Sequence, residues 1–237
     1  MNDEAKAALV KVPEVTLVFW VIKIAATTLG ETGGDAVSMS MNLGYLTATV
    51  IFAVVFLACV TAQVRARRFH PFLYWATIIA TTTVGTTLAD FADRSLGIGY
   101  AGGASLLLVL LLASIFVWWR SMGTVAVGSV SSPRAEVYYW VTIMFSQTLG
   151  TALGDWTADS AGLGYTGAAL IFGALLALVA AAYFWTTLSH TLLFWAAFVL
   201  TRPLGATVGD FLDKPVAHGG LAFSRYTASL VLLGFIV

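Results

Sequence analysis

Charge is what this chain has least of: Asp, Glu, Lys and Arg make up 10% of its 237 residues, against roughly 25% in a usual soluble domain. Twelve acids and twelve bases cancel to a net charge of zero. That is too little charge to cover the surface of a water-soluble body of this size, and a nucleic-acid binder would need a basic excess. A cytosolic enzyme, a secreted domain and a nucleic-acid partner are therefore poor readings. The one cysteine, Cys59, sits inside an apolar run, which excludes a disulfide framework and a thiolate-rich metal site. Of the three histidines, His70 and His190 stand at the ends of apolar runs and His218 in a loop, with no metal-ligand spacing among them. The sequence also lacks G-x-x-x-x-G-K-[ST], HExxH, G-x-S-x-G and redox CxxC motifs, so nothing points to an enzyme.

What the chain has instead is apolar length: 59% hydrophobic residues and a mean hydropathy of +0.89. A bilayer-crossing helix needs about 20 predominantly apolar residues. Eight segments approach this, at 15–34, 44–64, 72–92, 100–119, 136–156, 164–187, 191–211 and 221–237, the last being short. They are continuous runs without the alternation of barrel strands. The expected fold is thus all-α and integral to the membrane, with the lipid bilayer as its first partner. The first run is too long for a signal peptide and is read as retained. Lys6, Lys11, Arg65, Arg67, Arg68, Arg120 and Arg134 fall on one side of this topology, and Arg94, Lys214 and Arg225 on the other. Positive-inside bias then places both termini in the cytoplasm of a cell whose inner membrane holds the protein.

An internal repeat organises the chain. Offset by 120 residues, TLGETGGDAVSMSMNLGY (28–45) aligns with TLGTALGDWTADSAGLGY (148–165), and VGTTLADFADR (84–94) with LGATVGDFLDK (204–214), without a gap. Residues 1–120 and 121–237 are therefore read as duplicated halves of one membrane domain, each holding two repeats. In all four repeats an aromatic–Trp pair (Phe19-Trp20, Tyr74-Trp75, Tyr139-Trp140, Phe194-Trp195) has its Trp 15 residues before an aspartate: Asp35, Asp90, Asp155 or Asp210. Each repeat holds two spans, so the copies enter the membrane in the same sense. The Trp residues are expected at the membrane interface.

With each aspartate as position zero, positions −5 and −1 are small: Gly30 and Gly34, Gly85 and Ala89, Gly150 and Gly154, Gly205 and Gly209. Small-xxx-small pairs let helix backbones approach closely in lipid. The odd-numbered helices should therefore pack centrally, with the even-numbered ones outside. On TLGETGGD, VGTTLADFAD, TLGTALGDWTAD and LGATVGDFLD, the chain resembles a family of bacterial and archaeal membrane proteins built of four tandem copies of a repeat of unknown function. Ala89 departs from the Gly-Asp pattern. The resemblance implies an architecture and no activity.

The acids carry the chemical expectation. Eight of twelve fall in the motifs: Glu31, Asp35, Asp90, Asp93, Asp155, Asp159, Asp210 and Asp213. Acids at membrane depth are costly unless they face a cavity, a partner or an ion. Asp35, Asp90, Asp155 and Asp210, with Glu31, are read as an outward-facing cation site, and as its metal ligands if the ion is a metal. Asp93, Asp159 and Asp213 would tune its charge or relay protons. Helical periodicity places −4 and −7 beneath each aspartate, so Thr28, Thr83, Thr86, Thr148 and Thr151 form a stripe of pore-lining oxygens. At −11 the stripe turns apolar, with Ile24, Ile79, Met144 and Val199 as a gate. Lys23 and Arg202 break the fourfold sameness as buried cations. Arg202 would pair with Glu31 or a motif aspartate, either as a structural tie or as a tethered cation that substrate displaces.

Oxygen-only donors suit hard cations such as Mg²⁺, Mn²⁺, Ca²⁺ or alkali ions, so an ion of this class, divalent Mg²⁺, Mn²⁺ or Ca²⁺ among them, is the expected substrate and no certain cofactor is read. The function read from the sequence is small-cation transport, with a small inorganic cation as partner; the sequence also admits a homo-oligomer. The alternative is a non-transporting membrane scaffold or interaction protein whose motif acids are helix caps and polar ties.

Overall fold

The computed structural model describes residues 10–237, and among them every regular element is helical. Eight helices carry the four repeats: α1 (Leu17–Asp35), α2 (Tyr45–Arg65), α3 (Pro71–Asp90), α4 (Tyr100–Met122), α5 (Pro133–Asp155), α6 (Gly164–Trp185), α7 (His190–Asp213) and α8 (Arg225–Ile236). Five are long and apolar enough to cross a membrane: α2, α3 with its extension to Ser95, α4, α6 and α7. Helices α1 and α5 are close to them in length but less apolar: Lys23 and Glu31 interrupt α1, and α5 carries Tyr, Thr, Ser and Gln along its run. With 12 residues, α8 reaches only about 18 Å.

Local signals explain the boundaries. The Thr16 hydroxyl accepts the Phe19 amide at the start of α1, and Ser132 does the same for Ala135 at the start of α5. Pro71 and Pro133 occupy first-turn positions, where a missing N–H costs nothing. Nine residues after each motif aspartate stands a glycine with positive φ: Gly44 (76°), Gly99 (76°), Gly164 (64°) and Gly219 (85°). L side chains avoid that region, so the glycine is what lets the chain turn from the end of one helix toward the next.

The odd-numbered helices form a closed ring in which α1 packs on α3, α3 on α5, α5 on α7, and α7 back on α1. The contact is the same at each step. The glycine at −5 lies against the −8 residue of the next repeat: Gly30 against Thr82, Gly85 against Gln147, Gly150 against Arg202, and Gly205 against Thr27. At −1, Gly34 faces Thr86, Gly154 faces Ala206 and Gly209 faces Glu31. A side chain at these glycines would collide with the neighbouring helix, so the small-xxx-small pairs set the ring's diameter. Each outer helix covers the inner helix of the following repeat: α2 on α3, α4 on α5, α6 on α7, and α8 on α1.

At the end of the ring where the inner helices begin, an aromatic layer closes it. Phe19 meets Trp75 at 5.4 Å between ring centroids, Tyr74 meets Trp140 at 5.7 Å, Tyr139 meets Trp195 at 6.2 Å, and Phe194 meets Trp20 at 5.6 Å. The Tyr74 and Tyr139 hydroxyls share a hydrogen bond of 2.6 Å. Trp140 and Trp195 are buried, Trp20 and Trp75 half-buried, and Trp195 Nε1 donates to the Val125 carbonyl. Aromatic stacking thus joins each inner helix to the next at this end. Near this end Lys11 pairs with Glu136 at 2.7 Å and donates to the Gln63 and Val64 carbonyls. Arg94, Lys214 and Arg225 all lie among the aspartates at the other end. Lys6, the other N-terminal cation of the topology argument, lies outside the described residues.

Candidate functional site

The four aspartates end their helices together. After Asp35, Asp90 and Asp155 the backbone widens into a single π turn, Ala36–Ser40, Phe91–Ser95 and Trp156–Ser160. Each is closed by an i→i+5 bond of 2.9 Å, from Met41 to Ala36, Leu96 to Phe91, and Ala161 to Trp156. Such turns concentrate at functional sites. In the fourth repeat α7 instead runs on through Asp213, and the chain leaves at Lys214. None of Asp35, Asp90 and Asp155 caps the segment that follows it. Their carboxylates turn to cations.

Two cations divide the four aspartates. Arg94 reaches Asp90 Oδ1 at 2.9 Å and Asp155 Oδ2 at 3.4 Å, tying α3 to α5. Lys214 reaches Asp210 Oδ1 at 3.0 Å and the buried Asp35 Oδ2, tying α7 to α1. Arg94 and Lys214 occupy the same place 120 residues apart, four after their aspartates, where repeats one and three have Met39 and Asp159. Helix C-termini repel carboxylates and favour cations, so a base at +4 answers both the dipole and the acid. Burial works against charge on Lys214, but Asp210, Asp35 and Asp213 outweigh it and hold the ammonium well above the ordinary lysine range. Arg225 from α8 completes the group, 3.1 Å from Asp213 and 3.7 Å from Asp35.

Glu31 lies one turn deeper on α1. Its carboxylate and those of Asp35 and Asp210 each offer an oxygen within 4.8 Å of the other two, and all three residues are buried. Glu31 is also bound from below by Arg202, whose Nη2 donates to Glu31 Oε2 at 3.0 Å, Thr86 Oγ1 at 2.6 Å and Thr151 Oγ1 at 2.5 Å. The same guanidinium reaches the Thr27 and Thr82 carbonyls at 3.5 Å. From α7 it therefore touches α1, α3 and α5 at once, filling the centre of the ring. Gly150 makes room for its stem.

The threonine stripe divides by position. Thr86 and Thr151, at −4, face inward and accept from Arg202. Thr28, Thr83 and Thr148, at −7, donate to the carbonyls of Ile24, Ile79 and Met144 on their own helices at 2.7–3.0 Å. At the depth of the expected apolar gate, burial is greatest one residue earlier in the sequence. Ile24, Ile79, Met144 and Val199 are half-buried, whereas Ile78, Ile143 and Phe198, at −12, are fully buried beside Lys23. Among the described residues Lys23 finds no carboxylate and makes no hydrogen bond; its ammonium lies 4.2 Å from the centroid of the Phe198 ring. Of the second acids, Asp213 joins Arg225, Asp93 is buried against Gly103, and the exposed Asp159 accepts the Tyr100 hydroxyl at 3.4 Å.

Above the acids lies an open vestibule of about 570 Å³, lined by Arg94, Lys214, Asp159, Tyr165, Met39 and His218. Arg94 and Lys214 stand between this cavity and the buried aspartates. Sequence reasoning had used both only as topological charges; the signal that marks them is a base four residues after the motif aspartate.

The repeat on which this site is built is the one described as Repeat of Unknown Function (DUF347), which matches at residues 18–69, 73–124, 138–189 and 193–237. The chain belongs to this family. Each matched copy contains one inner helix with its aspartate, so in this DUF347 protein the ring and its acidic end are assembled from one corresponding segment of every repeat. No curated protein and no solved structure matches the chain.

Proposed function

We propose that this DUF347 protein is a small-cation carrier of the cell (inner) membrane, with both termini cytoplasmic and the acidic end of the ring facing outward. The four two-helix repeats supply its eight spans, of which α8 is the shortest. The observation that carries the reading is the buried group of Glu31, Asp35 and Asp210, held against the ammonium of Lys214 at the floor of an open vestibule. Carboxylates are retained at membrane depth where they meet ions or counter-charges. The substrate is a hard cation such as Mg²⁺, Mn²⁺ or Ca²⁺, as all three donors are oxygens. Beneath them Arg202 and the aromatic layer close the axis, which argues against an open channel and for a carrier that must rearrange to release its ion.

A second reading is favoured by a specific observation: every motif aspartate already has a basic partner, as it would in a non-transporting scaffold. Asp90→Asn combined with Asp210→Asn separates the two. Asn retains size and hydrogen-bonding capacity while removing two charges. On the transport reading, Mg²⁺, Mn²⁺ or Ca²⁺ raises the melting temperature of the wild-type protein in detergent by mass action, and the double variant folds but loses that response. If none of these ions stabilises the wild-type protein more than the double variant, the scaffold reading replaces this one.

A further inference from the structure

The two ends of the 120-residue relationship are not chemically equivalent. Arg94 lies between two carboxylates, Asp90 and Asp155. Lys214 lies between two others, Asp35 and Asp210, and there alone a third joins them, because position −4 is Glu31 in repeat one but Thr86, Thr151 and Ala206 in the rest. Among the described residues, Glu31, Asp35 and Asp210 are the one set of three acidic, His or Cys side chains whose ligand atoms converge within 4.8 Å. Asp35 is fully buried, and among the described residues its Oδ1 has no hydrogen-bond partner although Oδ2 is bound to Lys214.

We infer that the protein binds one divalent cation per chain, at Glu31, Asp35 and Asp210, in the place that the Lys214 ammonium holds in this structure, and that the Arg94 cluster is a fixed tie that binds no ion. This rests on the reading of the acidic end as a cation site. Charge selects the valence. Glu31, Asp35, Asp210 and Asp213 face Arg202, Arg225 and Lys214; with the Lys214 ammonium swung away, two negative charges are left unbalanced, and a divalent ion balances both. The side-chain chemistry selects the half. A lysine is a compact point charge on a flexible stem and can swing into the vestibule it already lines. Lys214 also bridges two carboxylates, but as a point charge that another spherical cation can replace; the guanidinium of Arg94 is a planar fork that engages Asp90 through Nε and Asp155 through Nη2 and donates to the Tyr45 hydroxyl through Nη1, a geometry no ion reproduces.

The test is titration of the purified protein in detergent with Mn²⁺ and Mg²⁺, reading stoichiometry by calorimetry and stability by thermal unfolding. The wild-type protein should bind one ion per chain. Lys214→Met should melt lower without ion, recover with it, and bind at least tenfold more tightly, because the competing ammonium is gone. Arg94→Met should also melt lower, but ion should not restore it. Lys214→Arg keeps the positive charge and keeps the test decisive if Lys214→Met does not fold; it should melt like the wild-type protein and lose the ion response. Two ions per chain, equal rescue of Arg94→Met and Lys214→Met, or an unchanged ion response in Lys214→Arg would each overturn the inference. Binding that follows the expected pattern without flux in liposomes would leave the inference standing and remove the carrier reading. Absence of ion binding would remove both.

Discussion

Arg202 offers the sharpest test of how the ring is held together. It is fully buried, and one nitrogen, Nη2, serves a carboxylate and two hydroxyls on three other helices. Arg202→Met keeps most of the stem that fills the space beside Gly150 but removes the charge. Glu31 is then left buried without its cation, and breaking a buried pair in this way costs about 3–5 kcal/mol in soluble proteins. For a chain of this length each kcal/mol shifts the melting temperature by about 2–4 °C, so a fall of about 6–20 °C is expected. The decisive comparison is the double variant Arg202→Met with Glu31→Gln. If the loss comes from the orphaned carboxylate, neutralising it should recover at least half of the fall, whereas two independent packing defects would add. Thermal unfolding in detergent, followed by fluorescence of the eight Trp residues, measures both. A fall below about 2 °C in the single variant, or a double variant less stable than either single, would refute the assignment of Arg202 as the tie.

Three other outcomes follow from the packing. Tyr74→Phe strands the Tyr139 hydroxyl in the buried aromatic layer and should cost about 1–3 kcal/mol, while Tyr74→Phe with Tyr139→Phe removes both polar groups and should be closer to wild type in the same unfolding assay. Gly205→Ala would drive a methyl group into Thr27 of the neighbouring inner helix and should destabilise by about 1–3 kcal/mol. Gly173→Ala, in α6 with open space around it, should be neutral or stabilising by up to about 1 kcal/mol.

The parts of this architecture that the sequence disclosed are those written once per repeat. The glycine pairs at −5 and −1 foretold which helices would meet, since only close backbone approach needs small residues at both places on all four helices. Arg202 and Glu31 were legible as partners because each broke the pattern with opposite charge. Burial falls at −12 rather than −11 for a geometric reason. Periodicity on an isolated straight helix puts −11 beneath the aspartate, but the inner helices pack along their i−4 ridges, so the buried stripe runs 0, −4, −8, −12 and drifts around each helix. The aromatic–Trp pair was legible in every copy, but not its stacking across the ring, because the partner ring comes from the neighbouring repeat. Arg94 and Lys214 went unrecognised as site residues because loop charge was counted for topology and not matched to the aspartate one turn before it. The π turns carry no sequence signature that a periodicity reading detects.

The central claim is that the acidic end of the ring exchanges a cation with the solvent and passes it across the membrane. Proteoliposomes loaded with a divalent-sensitive dye test it directly, with wild-type protein compared against Asp35→Asn. Asp35 is fully buried and meets both Lys214 and Arg225. The account predicts saturable Mn²⁺ entry with wild-type protein that falls to the level of empty liposomes with the variant. Wild-type flux no greater than that of empty liposomes, or undiminished flux through Asp35→Asn, would contradict it.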